Sequence, residues 1–175
     1  RTPLVVGPGI KTGLNIKIDN PAQLGSDLVV DAVAAIHEYG APLLIFDLGT
    51  ATTMSAIDRS GNYVGGAIIP GIKVSLDSLS RNTSQLPRIG LEKPRRVIGT
   101  NTIACMKSGV IYGNACMIDG MIDRACEELE GDVTVVATGG LARFITPHCR
   151  HSIICDDILL LKGLLLIYQK NNADK

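Results

Sequence analysis

Leu43-Leu44-Ile45-Phe46-Asp47-Leu48-Gly49-Thr50-Ala51-Thr52-Thr53 is the stretch on which the reading of this chain turns. An apolar run ends in an acid, a glycine and three threonines. A second apolar run follows at Met54 to Ile57, then a turn at Asp58-Arg59-Ser60-Gly61-Asn62. Tyr63 to Ile69 carries Gly65-Gly66 and stops at Pro70-Gly71. This predicts a buried strand, a tight turn and two further antiparallel strands. Asp47 falls where the first strand leaves the core. Gly49 lets the backbone come close to another group, and the threonine hydroxyls with nearby N–H groups can face an anion. One carboxylate beside backbone donors suits a phosphate with a cation. An ordinary hairpin turn rich in β-favouring threonines is the plainer reading of the same residues.

Outward from this stretch, the totals bound the answer. The 175 residues are 46% hydrophobic and 19% charged with a formal net charge of +0. That is enough apolar material for one sizeable core. Electrical neutrality, the absence of Trp and only two Phe argue against a nucleic-acid partner. The longest apolar run, Ile158 to Ile167, contains Lys162 and is shorter than the ~20 residues a spanning helix needs, so no membrane partner is expected. Cys105, Cys116, Cys126, Cys149 and Cys155 lack CxxC spacing and read as reduced, mostly buried thiols, which predicts a cytoplasmic location. The chain starts at Arg1 without Met and reads as a fragment of a longer protein.

Before the central stretch, Leu4 to Val6 and Asn15 to Asp19 are short strand candidates. Gly7 to Leu14 is a glycine-rich loop that does not match the phosphate-loop pattern. Gly25-Ser26-Asp27 opens a helix whose apolar face is Leu28, Val29, Ala32, Val33 and Ile36, with Ser26 or Asp27 as its cap. Asp31 lies one turn after Asp27 on the same face, and two such carboxylates in a dry pocket raise each other's pKa. Solvated surface acids would give the same spacing.

After the three strands, Gly71 to Leu79 predicts a short helix and residues 80–94 an exposed loop. Thr100 or Thr102 can cap a long helix with a stripe from Ile103 to Leu129. Its Gly109, Gly113 and Gly120 call for close packing against another helix or subunit. Val133 to Ala137 is a buried strand, and Thr138-Gly139-Gly140 leads into a helix at Leu141 to Ile145. Ser152 to Cys155 is a last strand, and Asp156-Asp157 caps a closing helix through Tyr168, followed by a polar tail.

Three meander strands followed by helix-separated strands resemble the ribonuclease-H-like half-domain of actin-like ATPases and sugar kinases. The fold expected is therefore α/β of the ribonuclease-H-like, actin-like ATPase type, mainly the second of two duplicated domains. Residues 1–40 would be the tail of the first domain and 41–175 the second.

The ordered set Gly7-Pro8-Gly9, Gly25-Ser26-Asp27, Phe46 to Thr53, Gly65 to Gly71, Ile98 to Thr102 and Thr138-Gly139-Gly140 resembles the type III pantothenate kinases over essentially the whole chain. The family's opening Asp-x-Gly-Asn-Thr phosphate motif does not occur in these residues, so the match is to the family's C-terminal two-thirds. The resemblance implies ATP-dependent phosphorylation of the primary hydroxyl of pantothenate, the first step towards coenzyme A. It implies a homodimer, a monovalent cation (potassium or ammonium) and magnesium arriving with ATP. By the same resemblance Asp27 is the general base, and Gly25, Ser26 and Leu28 line the pantothenate site beside it. Asp47 is the potassium ligand and Thr50 an ATP contact. Thr102 touches pantothenate across the dimer interface, and Gly139 and Gly140 face the adenosine side. The family usually carries Arg after the catalytic Asp, where this chain has Leu28, and an aromatic contact where it has Ile18. An Arg there could pair with the substrate carboxylate; Leu cannot. Two other expectations follow: a non-catalytic nucleotide-binding regulatory relative, or a kinase of another small hydroxy compound. The isolated fragment is expected to be inactive, because half the phosphate cradle is missing.

Overall fold

A computed structural model describes residues 3–172. Its centre is a six-stranded sheet in the order β1-β4-β3-β2-β5-β6. The long strands are the expected meander: β2 (Leu43–Leu48), β3 (Ala51–Ile57) and β4 (Asn62–Pro70), antiparallel to one another. On the other side of β2, β5 (Thr134–Thr138) and β6 (Ile154–Cys155) run parallel to it. β1 (Asn15–Ile16) closes the far edge, parallel to β4.

Helices cover both faces. Leu43, Ile45, Ile57, Tyr63 and Val136 face α1 (Ser26–Tyr39) and α5 (Leu159–Asn172). Leu44, Phe46, Leu48, Met54, Val135 and Ala137 face α2 (Ile72–Asn82), α3 (Thr102–Glu128) and α4 (Ala142–Ile145). Burial on two faces explains why β2 and β5 are continuous apolar runs rather than alternating ones. Residues on both sides of position 40 share this body: Ala32, Ala34 and Ala35 of α1 pack in the same cluster as Leu43 and Ile45.

A glycine of α5 lets that helix come close to α1. A Cβ at Gly163 would run into the Val30 carbonyl, with Val30 Cγ1 only 2.7 Å away. Neither atom can retreat without moving a helix. Gly163→Ala should therefore lower stability by about 2–3 kcal/mol. A urea midpoint equal to the parent's would refute that contact.

Several local expectations are corrected. Leu4 to Val6 forms no strand, and β1 covers only Asn15–Ile16 of the predicted Asn15 to Asp19. Gly25, not Ser26 or Asp27, is the cap of α1; the Ser26 hydroxyl instead donates to the Val6 carbonyl at 3.0 Å. Asn101, not Thr100 or Thr102, caps α3, its Oδ1 accepting the Ala104 N–H at 2.9 Å. The Asn amide oxygen accepts the N–H three residues on, the bond a good N-cap makes. α5 continues past Tyr168 to Asn172; the rest of the predicted polar tail, residues 173–175, lies outside the described residues. Among the described residues, none comes within 4 Å of a Cβ built at Gly109 or Gly113.

The cysteines also differ from expectation. Cys105, Cys116 and Cys155 are exposed, because the buried stripe of α3 runs through Met106, Val110, Ile111, Ile118 and Ile122 and passes the two helical cysteines by. Burial, with Asp119 nearby, pushes the Cys149 thiol up to about 12. A disulfide reagent should titrate these three thiols rapidly in the native protein and Cys149 only after denaturation. Fast modification of Cys149 in the folded state would overturn this. Among the described residues no helix is long and apolar enough to cross a membrane.

Candidate active site

Strand register sets the first layer of the site. Asp47 is opposite Thr53 on β3 and Thr138 on β5, so an acid and two hydroxyl residues form one row across three strands. Asp47 shares its face with Leu43 and Ile45, which is the α1 side of the sheet. The strand ends just beyond it, and the chain leaves through Gly49, whose N–H donates to the Ala51 carbonyl at 3.0 Å.

The second layer is the start of α1. Asp27 is exposed in its first turn, its Oδ1 accepting the Leu28 N–H at 3.0 Å. Asp31 follows one turn later and is buried at 3% exposure. The third layer is the Thr138-Gly139-Gly140 turn. Gly139 has φ +89, and a Cβ there would strike Asp47 Oδ1 and the Leu48 backbone. The turn thus lies directly on the end of β2, and only glycine allows it. The α4 helix behind it has only four residues, so its dipole is short.

Together these layers enclose a cavity of about 490 Å³ lined by Asp27, Asp31, Asp47, Thr138, Gly139 and Gly140. Arg143 and Asp157 pair at its mouth beside the exposed Phe144. The electrostatics are acidic. Burial, then the neighbouring charges of Asp47, Asp27 and Asp156, raises Asp31 to about 7. Burial and then Asp27 push Asp47 above the usual carboxylate range. Such a cavity attracts cations, and an anion such as phosphate could enter it only with one.

A second groove, also about 490 Å³, opens on the other side of the α1 start. Gly25, Leu28, Ile18, Thr53, Tyr63 and Gly66 line it. The Tyr63 and Ser55 hydroxyls pair beneath it at 3.0 Å. Asp27 thus stands at the head of a helix flanked by two cavities.

Of the residues singled out from sequence, Asp27, Asp47, Gly139 and Gly140 converge on the first cavity, and Gly25 and Leu28 on the second. Ser26 lines neither; it ties the helix start to Val6. Thr50 is exposed on the β2–β3 turn, and Thr102 is exposed at the start of α3, beside a separate depression lined by Thr100, Asn101 and Ile103. Thr138 and Arg143 join the first cavity unpredicted. Thr138 was legible as the last residue of an apolar strand ending in Gly-Gly, whereas nothing local marks Arg143.

The type III pantothenate kinase family model matches residues 1–124. A type III pantothenate kinase of Halalkalibacterium halodurans is 49% identical over 170 residues, covering 97% of this chain and 67% of that protein. Among solved structures, a Baf family transcriptional activator from Campylobacter jejuni superposes with a TM-score of 0.67 at 22% identity, over 94% of this chain and 71% of that one. The activator of 2-hydroxyisocaproyl-CoA dehydratase from Clostridium difficile, solved with bound ADPNP, gives 0.52 at 17% identity over 90% of this chain and 69% of that one. At such identities the two structures establish a shared fold, the actin-like ATPase α/β fold anticipated from the strand order.

Proposed function

The chain belongs to the type III pantothenate kinase family, and from that membership we propose that it takes part in ATP-dependent phosphorylation of pantothenate. The observation that carries this reading is the position of Asp27. It lines the acidic cavity that also holds Asp47, Gly139 and Gly140, while its neighbours Gly25 and Leu28 line the groove next door. In this reading the groove takes the alcohol and the cavity takes the nucleotide's phosphates.

Phosphoryl transfer asks a protein chiefly for positioning and charge neutralisation. Asp27 would accept the proton of the attacking hydroxyl and aim its oxygen. Asp47 offers an oxygen ligand to a hard cation, potassium or ammonium, and the threonine hydroxyls of its row add others. Magnesium would come with ATP. The backbone at Gly139 and Gly140 can approach the nucleotide closely because no Cβ intervenes. Thr50, Ser26 and Thr102 enter the reading through the family, Thr102 from the second subunit of a homodimer. A cytoplasmic location, and the division of the chain at residue 40 into parts of two duplicated domains, belong to the same proposal.

Turnover of ATP with pantothenate by the full-length protein, in potassium and in its absence, tests it. ATP hydrolysis without a phosphorylated product would sink it. A second reading, a nucleotide-binding relative without kinase activity, is favoured by one feature: Ile18 and Leu28 give the groove an apolar wall where an arginine could hold a carboxylate. Calorimetry separates the two, because this version binds ATP and not pantothenate. Phosphorylation of a different hydroxy compound would show in a substrate screen under the same conditions.

A further inference from the structure

The groove beside the start of α1 has a chemical character of its own. Three aliphatic side chains, Ile18, Leu24 and Leu28, line it and pack with the cluster that holds Leu43 and Ile45. Among the described residues its lining carries one charged side chain, the carboxylate of Asp19. Asn20 and Gln23 add neutral amides. Asn20 Oδ1 already accepts the Ala22 N–H at 3.2 Å, which leaves its NH2 group to donate. Leu28 directly follows Asp27, whose Oδ1 accepts the Leu28 N–H at 3.0 Å. From that one helix start Asp27 lines the acidic cavity and Leu28 the groove.

An anion in this groove would meet aliphatic walls and an acid. Apolar surface cannot repay the hydration a carboxylate gives up, and like charge adds to that cost. A carboxamide of the same shape escapes both penalties. The amides of Asn20 and Gln23 can donate to it and accept from it, and an alkyl group on its nitrogen can bury against the aliphatic wall. At about 490 Å³ the groove has room for such a compound.

We propose that the groove selects an uncharged primary alcohol, an amide of pantothenate with a short alkyl chain on the amide nitrogen, over pantothenate itself. Leu28 and Ile18 are the specificity-determining residues. The inference rests on the kinase reading for the reaction and for the groove as the seat of the alcohol. The hydroxyl oxygen forms a bond to the γ-phosphorus of ATP, and the bond from that phosphorus to the β–γ bridging oxygen breaks. Asp27 takes the hydroxyl proton and ADP leaves. The amide end is remote from the reacting hydroxyl, so the preference falls on KM more than on kcat.

The full-length protein is assayed with ATP and either pantothenate or its N-propyl amide. The expected kcat/KM for the amide exceeds that for pantothenate by about tenfold or more, the scale of one unpaired charge. Leu28→Arg puts a guanidinium on the groove wall and should reverse the order, with pantothenate gaining about tenfold or more through KM. Circular dichroism melting checks that this variant is folded, and the parent's preference needs no variant. Calorimetry of both compounds on the parent, loaded with a non-hydrolysable ATP analogue, reads the groove without turnover. Pantothenate used and bound as well as the amide, or better, overturns the proposal and leaves the kinase. Tighter binding of the amide with neither compound phosphorylated does the reverse. A folded Leu28→Arg protein that keeps the parent's preference overturns the assignment of specificity to Leu28.

Discussion

In a longer form of the protein that carries the family's opening phosphate motif, Asp27→Asn is expected to reduce turnover of pantothenate by roughly 10²–10⁴-fold, the range by which a positioned acid–base group accelerates transfer. The change is isosteric, and the residue is exposed at the head of α1, so folding should be intact. The amide can still accept a hydrogen bond from the alcohol but cannot take its proton. Removal of an interaction made mainly in the transition state lowers kcat and kcat/KM together. KM for pantothenate should therefore move little, and the affinity for an ATP analogue should be near that of the parent. Steady-state kinetics with calorimetry reads both. Activity within a few-fold of the parent would remove Asp27 from the chemistry, and a rise in KM alone would reduce it to a binding contact.

The second large effect concerns stability. Asp31 holds its proton up to about pH 7 in the folded protein, against 3.8 for the free group. Between those values the folded state carries one proton more than the unfolded state. Its contribution is thus greatest near pH 4, declines as pH rises to about 7, and is flat above. The shift corresponds to a loss on the order of 4 kcal/mol across that window. Asp31→Asn abolishes this term by removing the charge while keeping the shape. At pH 8 the variant should be more stable than the parent by about 2–4 kcal/mol. Urea unfolding at a series of pH values gives the answer. A parent curve that rises from pH 4 to 7 with no gain in the variant would contradict the burial argument.

These two acids show where sequence reasoning carries and where it stops. Asp27 is the first acid of a helix behind a Gly-Ser pair, and family resemblance gives it a role. Asp31 is visible as its i+4 neighbour, but spacing leaves a solvated pair and a buried pair equally open. What buries Asp31 is the packing of α1 against the sheet and α5. That follows from Gly163 meeting Val30, two residues 133 positions apart. The same holds for the cysteines. Helical position was readable, but which side of α3 is buried depends on where the sheet and α4 lie.

Local chemistry, carried in neighbouring residues, is what the amino-acid sequence determined by itself. A doubly buried strand, a meander of antiparallel neighbours, an acid at a strand end and a glycine pair after the next parallel strand all follow from runs and turns a few residues long. Only the tertiary structure decided which of these share a cavity. Strand register put Thr53, Asp47 and Thr138 in one row, and helix packing set Asp27 and Asp31 above it. Thr102 and Thr50 stayed apart from that row within the chain. The reason is physical: periodicity fixes which way a side chain points from its own element, while its neighbours across space come from contacts between distant elements, which no local pattern encodes.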